Sequence, residues 1–292
     1  MKQMAPIPRP SPMRMASRIF LLTIGLACSL YTADGRAGAL VEFPSVSAQA
    51  PIKLLGYLTR PDTGLSAILG GDSNRIGRYP AVVVLHGCGG FSSHAAKIAD
   101  QLGSWGYVAL AIDSLGARGI ASRCGGGGLP DQAFDAYAAL RFLSQLDFVD
   151  PSRIAVLGNS MGGFAALYAV DRDLAAQYFK GWFRAAIAYY PTCGIPAAVM
   201  TAPTLVLTGE ADDWNPAERC REMVAHSQPD GAAIAMTIYP GVHHAFDVPQ
   251  LKAGTRSLGH WLEYDEVAAK DAERQLRAFL AAHLGGAPSR TE

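Results

Sequence analysis

From about residue 50 onward, short unbroken apolar runs alternate with longer stretches in which apolar residues return every three or four positions. The runs at residues 81–85 (AVVVL), 108–112 (VALAI), 154–157 (IAVL), 185–190 (AAIAYY), 204–207 (TLVL) and 234–239 (IAMTIY) are of the first kind. A strand with one face in water would alternate apolar and polar side chains. Continuous runs of this length predict strands buried on both faces, as in a parallel sheet. The intervening segments 94–105, 161–170, 216–226 and 265–284 read as helices, the first ending at Gly106. A further helix opens at Pro130-Asp131, as proline at a first helical position does, and carries Ala136, Leu140, Leu143 and Leu146 on one stripe. Between residues 116 and 128 lies a Gly-rich loop. Strands alternating with helices in this way predict an α/β fold: a mostly parallel central sheet with helices on both faces. No internal repeat and no composition shift follows residue 50, so residues 40–292 are expected to form a single domain.

The N-terminal region follows a different pattern. Lys2, Arg9, Arg14 and Arg18 precede an apolar run at 19–30, and the small-residue site Ala37-Gly38-Ala39 comes after it. That order predicts a signal peptide over residues 1–39 and export to a periplasmic or extracellular compartment. An uncleaved anchor is the alternative, although the run is short for a membrane span. Cys28 could mark a lipoprotein, but Gly25 stands where a larger aliphatic residue would be expected. Removing the leader takes away five basic residues and one acid, Asp34, and leaves a mildly acidic chain. With a formal net charge of zero to begin with, the chain offers no polyanion-binding surface. Neither nucleic acid nor a membrane is therefore an expected partner once the leader is gone. Oligomeric state has no signature here.

The most specific chemical signal is Gly158-Asn159-Ser160-Met161-Gly162, directly after one expected strand and directly before a helix. A G-x-S-x-G turn in that setting lifts its serine above the sheet edge, and the flanking glycines relieve clashes with neighbouring backbone. Ser160 is the candidate nucleophile. The N–H of Met161, at the start of the helix, can stabilise developing negative charge. After the strand at 81–85 comes His86-Gly87-Cys88-Gly89-Gly90, where small residues let a second backbone N–H, that of Cys88, approach the same oxygen. His86 precedes the serine in the chain and is expected to shape the loop rather than act as base.

An acid and a base follow at the next strand ends. Gly209-Glu210-Ala211-Asp212-Asp213 succeeds the strand at 204–207, and His243-His244-Ala245-Phe246 the strand at 234–239. A serine hydroxyl needs an imidazole to take its proton, and the imidazole needs a carboxylate to fix its tautomer. The order Ser, acid, His is the one that this fold uses. His94, His226, His260 and His283 are expected to be solvated loop residues. Zinc, nucleotide and dinucleotide motifs are all missing: no H-E-x-x-H, no paired C-x-x-C, no G-x-x-x-x-G-K-[ST], and no third glycine after Gly87 and Gly89. No cofactor is expected.

With these residues in place, the chain from about 50 to 285 resembles the dienelactone hydrolase family of α/β-hydrolases. The resembling stretches are residues 83–90 (VVLHGCGG), 135–140 (DAYAAL), 149–154 (VDPSRI) running into 158–163 (GNSMGG), Gly209-Glu210-Ala211-Asp212 with Pro216, and 239–246 (YPGVHHAF). The resemblance implies Asp212 as the acid and His244, rather than His243, as the base. It also has departures. Ser160 stands where dienelactone hydrolases carry cysteine, and Gly87 where they carry an acidic residue. Arginines hold the substrate carboxylate in that family, and Arg118, in the Gly-rich loop, is this chain's counterpart.

The expected activity is hydrolysis of a small carboxylic ester or lactone through an acyl-enzyme. The alternatives are a peptidase or amidase on the same fold, or an idle α/β-hydrolase used as a binding domain. Four cysteines remain beyond the leader, and they permit three pairings. The strand order places Cys88 near Cys124 and Cys193 near Cys220, so two disulfides with those partners are expected in an oxidising compartment.

Overall fold

The computed structural model describes residues 38–46, 51–61, 77–126, 131–179 and 183–286, all within one compact unit, Ala33–Glu292. Residues 1–37, which hold nearly all of the expected leader with Cys28, lie outside this set, as does Pro130. Ala39, the last residue of that leader, is the first residue of strand β1.

Among the described residues ten strands and five α-helices follow in the order β1 (Ala39–Pro44), β2 (Lys53–Thr59), β3 (Tyr79–Leu85), α1 (Ser93–Ser104), β4 (Val108–Asp113), α2 (Asp131–Ser144), β5 (Val149–Asn159), α3 (Met161–Val170), β6 (Ala185–Tyr189), β7 (Thr204–Gly209), α4 (Ala217–Ala225), β8 (Ile234–Tyr239), β9 (Thr255–Ser257), β10 (His260–Leu262) and α5 (Glu266–Leu284). Eight strands form one sheet in the order β1-β2-β4-β3-β5-β6-β7-β8. From β4 to β8 every neighbouring pair is parallel, while β1–β2 and β2–β4 are antiparallel. Each apolar run expected to be a parallel strand is one.

Alternation along these strands divides the core into two layers, because successive side chains point to opposite faces. Val83, Leu85, Leu110, Ile112 and Val156 pack with α2, α3 and the Cys220–Met223 side of α4. Val82, Val84, Ala109, Leu157, Ile187 and Leu207 pack on the other face, with α1 and α5. Every residue of β3 is buried. The ladder aligns Leu85 with Gly158 and Asn159 with Tyr189, so the loops that leave β3, β5 and β6 emerge side by side at one edge.

The strands β1, β2, β9 and β10 have no counterpart in the sequence reading. β2 is half-buried and alternates, Lys53 and Leu55 outward against Leu54 and Gly56 inward, so it carries no continuous apolar run. β9 and β10 form a small hairpin, Thr255 opposite Leu262 and Ser257 opposite His260.

Candidate active site

Ser160 occupies the turn between β5 and α3, with φ 54° and ψ −116°. A non-glycine residue at positive φ is costly, and it persists only where its surroundings over-determine it. Here they do. The Ser160 N–H donates to the Tyr189 carbonyl at 2.9 Å, and its carbonyl accepts from the Phe164 N–H at 3.0 Å. The two flanking glycines are sterically required. A Cβ on Gly158 would lie 2.0 Å from the Gly162 carbonyl oxygen, and one on Gly162 would lie 2.3 Å from that of Leu85. A side chain on Gly158 would therefore push the start of α3 off the turn, and one on Gly162 would push it off β3.

His244 follows β8 in a loop pinned to the hairpin, where its carbonyl accepts from the Glu263 N–H at 3.2 Å. Its Nε2 lies 3.0 Å from Ser160 Oγ and its Nδ1 2.7 Å from Asp212 Oδ2. Asp212 and His244 are buried, and Ser160 is half-buried. The other carboxylate oxygen of Asp212 accepts from the backbone N–H groups of Trp214 at 2.9 Å and Asn215 at 2.8 Å. An aspartate that binds its own loop two and three residues on locks both the loop and its remaining oxygen. With Nδ1–H donated to that oxygen, the imidazole has one tautomer available, and Nε2 is left to accept the serine proton. Trp214 and Tyr190 flank the ring, with centroids 5.2 and 4.7 Å from it.

Neighbouring candidates are occupied elsewhere. His243 Nδ1 lies 3.0 Å from the Ala211 carbonyl, and Asp213 Oδ1 accepts from the Trp261 N–H at 3.0 Å. His86 is buried with Nδ1 2.7 Å from the Gly87 carbonyl, and its Nε2 accepts from the Ser114 N–H at 3.3 Å. Burial lowers its pKa. It is a neutral ring that shapes the loop after β3. The Gly87 backbone runs close along the serine: a Cβ there would sit 3.8 Å from Ser160 Cβ. Cys88, the next residue, is therefore beside Ser160, and its N–H has no acceptor among the described residues. Met161, first residue of α3, has an N–H for which a helix supplies no acceptor. Cys88 is bonded to Cys124 and Cys193 to Cys220, the pairing expected from topology.

Two expectations meet a different arrangement. Arg118 is committed within the protein: Nη1 and Nη2 donate to Asp135 at 2.7 and 2.9 Å, and Nη1 also to the Ser114 carbonyl at 2.6 Å. Asp135 is buried, so the guanidinium balances an internal charge instead of waiting for a substrate carboxylate. Three of the histidines are not solvated loop residues: His260 lies in β10, stacked on Trp214 with centroids 4.9 Å apart, His283 lies in the last turn of α5, and the third is His94. It lies at the start of α1 with its side chain 22% exposed, and Nε2 is 3.2 Å from Asp247 Oδ2. Burial opposes its protonation, the Asp247 carboxylate outweighs burial, and the pKa is raised. Asn159, Tyr190, Asn215 and Asp247 were not singled out by the sequence reading. The available signals were the variable position of G-x-S-x-G for Asn159 and the residue after the His-x-Phe motif for Asp247.

The profile of the dienelactone hydrolase family matches residues 65–284. An uncharacterized protein of Mycobacterium tuberculosis is 33% identical over 186 residues, which cover 58% of this chain and 64% of that protein. The chain thus spans less than two thirds of that relative's length. A Bradyrhizobium protein named "Probable 2-oxo-3-(5-oxofuran-2-ylidene)propanoate lactonase" is 28% identical over 247 residues, covering 80% of this chain and 90% of the relative. Among solved structures, a dienelactone hydrolase-like promiscuous phosphotriesterase from metagenomic libraries superposes with a TM-score of 0.66 at 18% identity, over 85% of this chain and all of that one. Thermogutta terrifontis esterase 2 phosphorylated by paraoxon gives 0.61 at 19% identity, over 87% and 96%. At such identities the likeness is one of fold.

Proposed function

The chain belongs to the dienelactone hydrolase family, and from that premise we propose that it is an exported serine hydrolase cleaving small carboxylic esters or lactones. The observation that carries this reading is the hydrogen-bonded line from Ser160 Oγ through His244 to Asp212, at 3.0 and 2.7 Å.

In the proposed reaction His244 Nε2 takes the hydroxyl proton as Ser160 Oγ attacks the substrate carbonyl. The resulting oxyanion is held by the N–H groups of Cys88 and Met161. The imidazolium, steadied by Asp212, then returns its proton to the departing alcohol oxygen, and an acyl-Ser160 ester remains. Water deprotonated by His244 attacks that ester, the same two N–H groups hold the second oxyanion, and the acid leaves with Ser160 restored. In a lactone the leaving alcohol stays tethered to the acyl group. Two disulfides support export, since such bonds persist in oxidising compartments. Among the described residues no helix is long and apolar enough to cross a membrane.

Paraoxon is the probe suited to this mechanism, because it transfers a phosphoryl group to an activated serine. The purified protein should gain one diethylphosphoryl group at Ser160 and lose hydrolysis of aryl esters in step. Ser160→Ala should resist labelling and lose about 10⁴-fold or more in turnover with its fold intact. Near-normal ester hydrolysis by that variant would refute the mechanism.

A further inference from the structure

Behind the triad lies a further carboxylate, on the same loop as His244, with its side chain 14% exposed. Asp247 Oδ1 accepts from the Tyr190 hydroxyl at 2.6 Å, and Oδ2 accepts from His94 Nε2 at 3.2 Å and Asn159 Nδ2 at 3.1 Å. The Asn159 amide also donates to the Tyr190 oxygen at 3.0 Å. Two of these partners border the proposed machinery. Asn159 immediately precedes Ser160. Tyr190 stands edge-on to the His244 ring, with centroids 4.7 Å apart. The backbone of Tyr190 is at φ 36°, and its carbonyl accepts from Asn215 Nδ2 at 2.9 Å, while the Asn215 N–H donates to Asp212. A chain of hydrogen bonds therefore runs from Asp212 through Asn215 and Tyr190 to Asp247, passing beside His244.

We propose that Asp247, with His94 as its counter-charge, is the positioning residue of this site: it ties the residue before the nucleophile and the ring beside the base to the loop that carries the base. The inference rests on the triad reading above. Four elements converge on one carboxylate: the end of β5, the residue after β6, the first turn of α1 and the loop after β8. Hydrogen bonds to a carboxylate are stronger than those between neutral groups. A hub of this kind fixes relative positions that no single loop could hold. Burial raises the Asp247 pKa, but the charge of His94 and the hydrogen bonds from His94 and Tyr190 prevail and keep it below the ordinary range. The other titratable groups acting on the pair are Lys97, one turn along α1, which disfavours protonation of His94, and the phenols of Tyr189 and Tyr190, both raised well above 10 by burial and then by Asp247.

The test compares Asp247→Asn, His94→Gln and Ser160→Ala in the full chain, with kcat and KM for one aryl ester, the pH profile of kcat/KM and thermal midpoints. Asp247→Asn should lose about ten- to a hundredfold in kcat with KM nearly unchanged, the scale of a small misplacement of reacting groups. His94→Gln keeps a donor but strips the positive charge. The Asp247 charge is then left unbalanced beside the site, and the acidic limb of the profile moves to higher pH. A purely structural hub would lower the thermal midpoint and leave that limb where it is. Wild-type kcat in Asp247→Asn, a loss carried by KM alone, or an unmoved limb in His94→Gln overturns the proposal. Inactive Ser160→Ala alongside wild-type Asp247→Asn would remove only this inference. Active Ser160→Ala would remove the triad reading, and this one with it.

Discussion

The loop after β3, which carries Cys88, is held by a covalent bond to Cys124 and by the Arg123 N–H donating to the Cys88 carbonyl at 2.9 Å, whereas Asp212 and His244 are held by hydrogen bonds and ring packing alone. The contrast follows from what each side has to do in the proposed reaction. An oxyanion donor is a backbone N–H with fixed chemistry, so only its position matters, and a cross-link can brace it without touching its reactivity. The base takes up and releases a proton twice per turnover. Its partners must respond to that charge, which a carboxylate 2.7 Å from Nδ1 does and a cross-link does not. The second disulfide fits the same division. Cys220 lies in α4, beyond the acid loop, and its bond to Cys193 braces the helix without entering the line from Asp212 to Ser160.

The hydrogen-bonded side should give the largest effects on turnover, with sharp differences between adjacent residues. His244→Ala should cost about 10⁴-fold or more, and Asp212→Asn about 10³ to 10⁴, because an amide neither fixes the tautomer nor steadies the imidazolium. His243→Ala and Asp213→Asn should be mild, since their partners are the Ala211 carbonyl and the Trp261 N–H. Steady-state kinetics on the four variants decides between the neighbours. A reversed ranking within either pair would mean that the hydrogen bonds to His244 are not the catalytic ones.

On the covalent side the effect should be smaller and of another kind. Cys124→Ser leaves the Cys88 N–H in place but opens a loop of 36 residues, for which loss of about 3 to 4 kcal/mol of stability is expected. Turnover should fall about tenfold, as an oxyanion donor loses its fixed position without being deleted. Cys220→Ala opens a loop of 27 residues and should cost similar stability while leaving turnover unchanged. Denaturant midpoints beside kcat separate the two variants. Equal turnover in both would show that the Cys88–Cys124 bond braces the fold and not the donor.

The sequence made legible what is local. Residues 161–170 and 234–239 read as they stand because their apolar content is continuous and their ends are marked. The elbow, the acid loop and the His-x-Phe loop could be placed because each lies at the end of such a run. Features that depend on residues far apart in the chain were out of reach. His94 and Asp247 are 153 positions apart, so nothing near His94 announces its partner, and a lone histidine at a helix start looks solvated. Asn159 and Tyr190 are 31 apart and meet only because β5 and β6 are adjacent. β2 was missed for a different reason: half of its side chains face outward, so its pattern carries less apolar signal than the buried strands.

The family resemblance assigns Arg118 to a substrate carboxylate, but its geometry supports only a small effect on turnover. Both of its terminal nitrogens serve Asp135, whose side chain is 1% exposed. Arg118→Met should therefore alter KM for anionic and neutral esters alike and only slightly. Its cost should appear in stability instead, at about 3 kcal/mol near neutral pH, because removing one partner strands a buried charge. The pH dependence identifies the cause. Burial already pushes the Asp135 carboxyl up, and the Arg118 guanidinium opposes that. Without Arg118 the folded-state value rises further above the unfolded one. A group raised in the folded state contributes fully below its unfolded pKa and loses that contribution as pH climbs through the folded value. The deficit of Arg118→Met against wild type should accordingly be large at about pH 8 and shrink toward about pH 5, as Asp135 takes up a proton and no charge remains stranded. Urea midpoints at the two pH values measure it. A deficit that stays constant would mean lost packing and not lost charge balance. A rise in KM confined to anionic esters would return Arg118 to the substrate.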